Sequence, residues 1–114
     1  AYSASKAAAH QLAKVAALEL AAIGVRVNQI NADAVFAHGD TRSGLWDKVG
    51  PARAKSRGDA IDELEEFYRG RNLLKARVEA RHVGEAVVFF ATKAVVTTGA
   101  TMPVDGGVAE AFPR

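Results

Sequence analysis

Only two short stretches of this chain have the composition of strands, and that shortage limits its architecture more than any other feature. Val25-Arg26-Val27-Asn28-Gln29-Ile30 has β-branched residues at three of its six positions, and Thr101 to Val104 follows a Thr98-Gly99 turn. Pro103 removes a ladder donor, which sends the second strand to a sheet edge. Three other stretches have a helical pattern. Ser3 to Ala22 is rich in Ala and Leu and free of Gly and Pro, with Leu12, Val15, Ala16 and Leu20 as the expected buried stripe and Gly24 as a left-handed stop. A short helix is expected after Asp59 as N-cap, with Ile61, Leu64, Phe67 and Tyr68 on its apolar face. Another, near Ala80 to Thr92, should bury Val83, Ala86, Val87 and Phe90. Helix, strand, helix, helix, strand is the order of an α/β protein with a parallel sheet. Two strands are too few for one, because parallel sheets have more strands and helices on both faces. The chain is therefore expected to be incomplete as a stand-alone fold. It should associate with another chain, swap elements or be marginally stable.

Composition narrows the partners. A chain of 114 residues holds one small domain, and 49% apolar with 25% charged residues is a globular balance. A net charge of +2, with both signs interspersed, argues against a nucleic-acid or membrane-surface partner. There is no cysteine for disulfides or thiolate chemistry, which is compatible with a reducing cytoplasm, the expected location. The longest strongly apolar run, Ala86 to Ala91, is too short to cross a bilayer, and no secretory leader is recognisable. The chain starts without Met, so it is expected to be a truncated, processed or separately produced fragment. Residues 37–58 have no clear period and mix Gly39, Gly44, Gly50 and Pro51 with Trp46 and the basic Arg53, Lys55 and Arg57. Such a stretch is often a lid or binding loop, and residues 37–70 are expected to form a substrate loop or lid insertion within a single domain of residues 1–114.

The chemistry is concentrated at the start. Tyr2 and Lys6 are four residues apart, so on a helix they share a face and can reach one reacting centre. An ammonium about 5 Å from a phenol, at an effective dielectric of about 20, favours phenolate by about 3 kcal/mol. That places a tyrosine within range of proton exchange with an alcohol or carbonyl. The same spacing also describes an ordinary surface pair.

The surrounding residues favour the chemical reading. Tyr2-Ser3-Ala4-Ser5-Lys6-Ala7-Ala8, then Gly24-Val25-Arg26-Val27-Asn28, then Asn31-Ala32-Asp33-Ala34-Val35, and finally Thr98-Gly99 with Val104-Asp105-Gly106-Gly107, resemble in order the C-terminal half of the short-chain dehydrogenase/reductase family. More narrowly, Leu64-Glu65-Glu66-Phe67-Tyr68-Arg69, Leu73-Leu74-Lys75 and the run from Val104 to Ala109 look like the dehydrogenase part of bifunctional rhamnulose-1-phosphate aldolase/alcohol dehydrogenases. The resemblance implies the C-terminal portion of a Rossmann-type doubly wound parallel sheet. It also implies that Tyr2 is the general acid/base and that Lys6 holds the nicotinamide ribose hydroxyls of NAD or NADP while favouring the Tyr2 phenolate. Residues Asn31 to Val35 match the family's Asn-Pro-Gly-x-Ile stretch, so Ala32, Asp33 and the Val35 backbone would face the cofactor. Here the chain departs from the pattern, with Ala32 and Asp33 in place of Pro and Gly, and Ala37 where Thr is common.

The family's phosphate loop, the residue that distinguishes NAD from NADP and the catalytic serine all precede the tyrosine and fall outside these residues. The missing N-terminal half is therefore an expected partner, and the chain alone is expected to be inactive. Phe36 and Trp46 could line a pocket for a small alcohol or aldehyde such as lactaldehyde, or could simply anchor packing. The basic cluster at Arg53 to Arg57 could meet an anionic group or be a solvated surface. His10, His38 and His82 are too scattered to suggest a metal site. The alanine-rich first helix suits close packing against another subunit, as in the family, so a homo-oligomer is expected. Two readings remain: an oxidoreductase segment, and a non-catalytic self-associating module of such an enzyme.

Overall fold

A computed structural model describes residues 1–111; the last three residues of the expected domain lie outside the described residues. The elements run α1 (Tyr2–Leu20), a 3-10 turn (Ala21–Ile23), β1 (Gln29–Ala32), α2 (Gly44–Arg57), α3 (Ile61–Arg71), α4 (Ala80–Thr92) and β2 (Thr101–Val104), with a last 3-10 turn at Ala109–Ala111. The fold is α/β. β1 pairs with β2, and the Gly99 N–H to Val27 carbonyl bond (2.7 Å) followed by the Gln29 N–H to Ala100 carbonyl bond (2.8 Å) shows the two strands advancing in parallel. The connection between them contains α2, α3 and α4, as a parallel pair requires. Among the described residues the sheet has two strands.

The chain divides into two compact units. The first comprises Ala1–Asn31 and Glu85–Met102. Gly24, at φ 75°, ends the 3-10 turn in the left-handed conformation expected of it, with its N–H on the Ala21 carbonyl. The strand starts later than the sequence suggests because the residues before it are held by side chains. Arg26 donates to the carbonyls of Phe90 (2.9 Å), Ala94 (2.9 Å) and Thr97 (3.4 Å), satisfying carbonyls at and beyond the end of α4. Asn28 donates to the Thr97 carbonyl and accepts from the Ala100 N–H, so its carboxamide acts as one more rung beside the sheet. Burial on α1 is also displaced from the expected stripe. Ala17 is buried, against Gly99, whereas Leu12 is 69% and Leu18 is 80% exposed. On α4 Ala86 is buried as expected, but Val87 is exposed.

The second unit comprises Ala32–Gly84 and Pro103–Arg114. Residues 44–57, expected to be loop, form α2, so the element order gains a helix. Pro51 lies inside it, where the missing N–H leaves the carbonyl of residue 47 without its helical donor. Gly58, at φ 78°, caps it. On α3 the N-cap is Ala60 rather than Asp59, whose carboxylate instead holds Arg57 at 2.6 Å. Glu63 closes the turn by accepting from the Ala60 N–H. Leu64 is the centre of this unit's core at 2% exposure, with Phe36, Ala54, Val78 and Val108 buried as well. No helix among the described residues is long and apolar enough to cross a membrane.

Candidate active site

The expected site residues fall into both units. In the first, the opening turn of α1 carries Tyr2 and Lys6, and the Ser5 hydroxyl donates to the Tyr2 carbonyl at 2.7 Å. The Lys6 Nζ lies 5.4 Å from the centroid of the Tyr2 ring, so the ammonium and the aromatic ring face each other. Both side chains are exposed, the phenol at 65%. Solvent therefore screens the pair more than an enclosed cleft would, and coupling between ammonium and phenol falls below that of a half-buried pair. The arrangement offers an accessible hydroxyl able to exchange a proton and an accessible ammonium able to donate three hydrogen bonds.

In the second unit the stretch after β1 is fixed at three points. The Asp33 carboxylate accepts from Arg71 Nη2 at 3.1 and 3.0 Å. The Ser43 hydroxyl, at the N-cap position of α2, donates to the Val35 carbonyl at 2.7 Å rather than capping its own helix. The Phe36 N–H donates to the Val78 carbonyl at 2.8 Å, in a parallel bridge between Phe36 and Glu79. Ala34 and Phe36 are buried, while Ala32 is exposed. Residues 33–36 are thus held by Arg71 of α3, by the Ser43 hydroxyl just before α2 and by the Val78 backbone, a placement the local sequence does not reveal.

Trp46 stacks on Phe36 with ring centroids 5.3 Å apart, and Tyr68 meets Trp46 edge-on at 4.9 Å. Arg53 donates to the Tyr68 hydroxyl at 2.7 Å and lies over Trp46, so one member of the basic cluster serves the aromatic group. The cavity lined by Phe36, Trp46, Gly50 and Leu64 holds about 40 Å³, room for one water and far below the roughly 300–1,000 Å³ of a ligand pocket. The histidines are separated in role: His38 Nδ1 lies 3.1 Å from the Glu79 carboxylate, and His82 Nδ1 accepts from the Glu79 N–H. Sequence reading missed Glu79, whose side chain is 8% exposed and also meets Arg77 (3.4 Å) and Arg81 (2.8 Å). Its only sequence signal is a glutamate flanked by arginines.

A family model described as Enoyl-(Acyl carrier protein) reductase matches residues 1–109. An uncharacterized oxidoreductase, YuxG, of Bacillus subtilis (strain 168) is 40% identical over 115 residues, covering 100% of this chain and 16% of that protein. L-xylulose reductase of Cavia porcellus is 33% identical over 107 residues, 93% of this chain and 38% of the relative. Among solved structures, sorbitol-6-phosphate 2-dehydrogenase SrlD from Erwinia amylovora superposes with a TM-score of 0.81 at 28% identity, over 95% of this chain and 41% of that one. A short chain dehydrogenase family protein from Francisella tularensis subsp. tularensis SCHU S4 gives 0.78 at 29% identity, over 96% and 43%. The chain spans well under half the length of these relatives. With almost every residue matched, and with oxidoreductases and dehydrogenases on the matching side, the chain belongs to the short-chain dehydrogenase/reductase family of oxidoreductases.

Proposed function

We propose that this chain supplies the proton-transfer pair of an NAD- or NADP-dependent oxidoreductase acting on a small alcohol or aldehyde. The observation that carries the reading is the Tyr2 and Lys6 pair, one helical turn apart with the ammonium facing the ring. An accessible ammonium beside an accessible phenol fits a nicotinamide riboside, whose ribose hydroxyls need a donor and whose reacting neighbour needs an acid/base. When bound, that group accepts or delivers the hydride. Tyr2 takes the hydroxyl proton as an alcohol is oxidised, or gives a proton to the carbonyl oxygen as an aldehyde is reduced. Lys6 holds the ribose hydroxyls. The backbone of Ala32, Asp33 and Val35 faces the cofactor, and Trp46 of α2, stacked on the buried Phe36, is the proposed aromatic contact for the substrate.

Phosphate binding falls to the N-terminal half of the complete enzyme, so the chain alone is inactive. Lactaldehyde is the proposed physiological aldehyde, in a cytoplasmic protein that also carries an aldolase part. Most of YuxG lies outside the match, which leaves room in such a relative for a further part. A second reading, a self-associating module without catalysis, is favoured by the exposed Leu12 and Leu18 on α1. Tyr2→Phe in the complete protein separates the two. Turnover should fall by about 100-fold or more while NADH binding, followed by fluorescence titration, stays within twofold. Unchanged turnover would leave only the module.

A further inference from the structure

Asp33 places a carboxylate on the stretch proposed to face a dinucleotide, itself an anion. That carboxylate is not left to solvent. Arg71, the last residue of α3, spans 38 positions of sequence to give one nitrogen, Nη2, to both of its oxygens. The side chains of Arg71 and Asp33 are only 31% and 29% exposed. The guanidinium carbon lies over the Tyr68 ring, 5.0 Å from its centre, a cation–π contact. Arg71 Nε is buried without a hydrogen-bond partner among the described residues. The pair is thus part-buried and braced by an aromatic ring.

We propose that Arg71 is a positioning residue for the dinucleotide: by pairing with Asp33 it holds and neutralises a carboxylate that the cofactor would otherwise meet bare. The inference rests on the cofactor-facing reading of that stretch. Asp33 stands where the family pattern has glycine, so the arginine on α3 offsets a charge the pattern does not contain. Without Arg71 the anionic Asp33 would repel the cofactor. With both charges removed the repulsion disappears.

The test is titration of the complete protein and its variants, at low and high salt, with whichever of NADH and NADPH the unsubstituted protein binds more tightly. R71M should weaken binding by about tenfold, with the loss shrinking as salt rises, whereas D33N should stay within about threefold of the parent. The double variant D33N/R71M should recover to within about threefold, and R71K, keeping the charge, should lie between the parent and R71M. R71Q replaces R71M under the same thresholds if the latter does not fold. Binding by R71M within twofold of the parent, or a double variant no tighter than R71M, overturns the proposal and leaves a structural ion pair. Failure of the unsubstituted protein to bind either NADH or NADPH overturns the cofactor reading first and this inference with it, an outcome visible before any variant is made.

Discussion

Glu79 collects more charge than any other side chain described in the second unit. Hydrogen bonding from Arg81, together with the positive charges of His38, Arg81 and Arg77, holds its carboxyl below the usual carboxylate range. A group whose value is lower in the folded state than in the unfolded one adds stability above the unfolded value and loses it as pH falls through the folded value. The contribution is therefore present at neutral pH and disappears in acid. Glu79→Gln should lower stability at neutral pH and flatten the acid limb of the stability profile, which thermal melts across pH 3 to 7 would read. A parent and variant with parallel profiles would show that the arginines compensate one another. The tyrosine and lysine were legible because a four-residue spacing is a local fact. Glu79 and Arg71 were not, since their partners lie as far as 41 and 38 residues away in sequence.

At the scale of elements, α4 and β2 lie where the sequence pattern puts them, because their signals are internal: an apolar period for one, and a turn glycine at φ 73° before the other. α2 was hidden by Gly44, Gly50 and Pro51, each a poor helix former. It forms because Trp46, Gly50 and Ala54 present one face to the core, and tertiary burial outweighs propensity. The Asp105-Gly106-Gly107 turn has a physical task of its own. Asp105 accepts from the Gly107 N–H, while the carbonyls of Gly106 and Gly107 accept from the N–H groups of Leu74 and Leu73. Gly106 sits at φ 68° against the Asn72 carboxamide, which is itself buried and bonded to both backbone groups of Ala76. A methyl group there meets backbone strain and a neighbour fixed in place. Gly106→Ala should destabilise the protein by about 1–3 kcal/mol, measured by urea unfolding.

Among the described residues, eleven of the sixteen large apolar side chains that stand exposed belong to the first unit, including Leu12, Leu18, Phe89 and Val96. That is more than scattered surface residues account for, and it suits a segment completed by other protein. Expressed alone, the 114 residues should associate as concentration rises, which sedimentation velocity would follow, and Leu18→Lys should weaken the association. On the proposed function, which assigns phosphate binding to other residues, the same material should show no micromolar affinity for NADH. Arg26 adds a different expectation. Its guanidinium ties the first segment of this unit to the carbonyls of Phe90, Ala94 and Thr97, across a stretch of sequence that belongs to the other unit. A protease nick within that intervening stretch would leave the two pieces clasped without a covalent link, so separately made halves should reconstitute the unit on mixing.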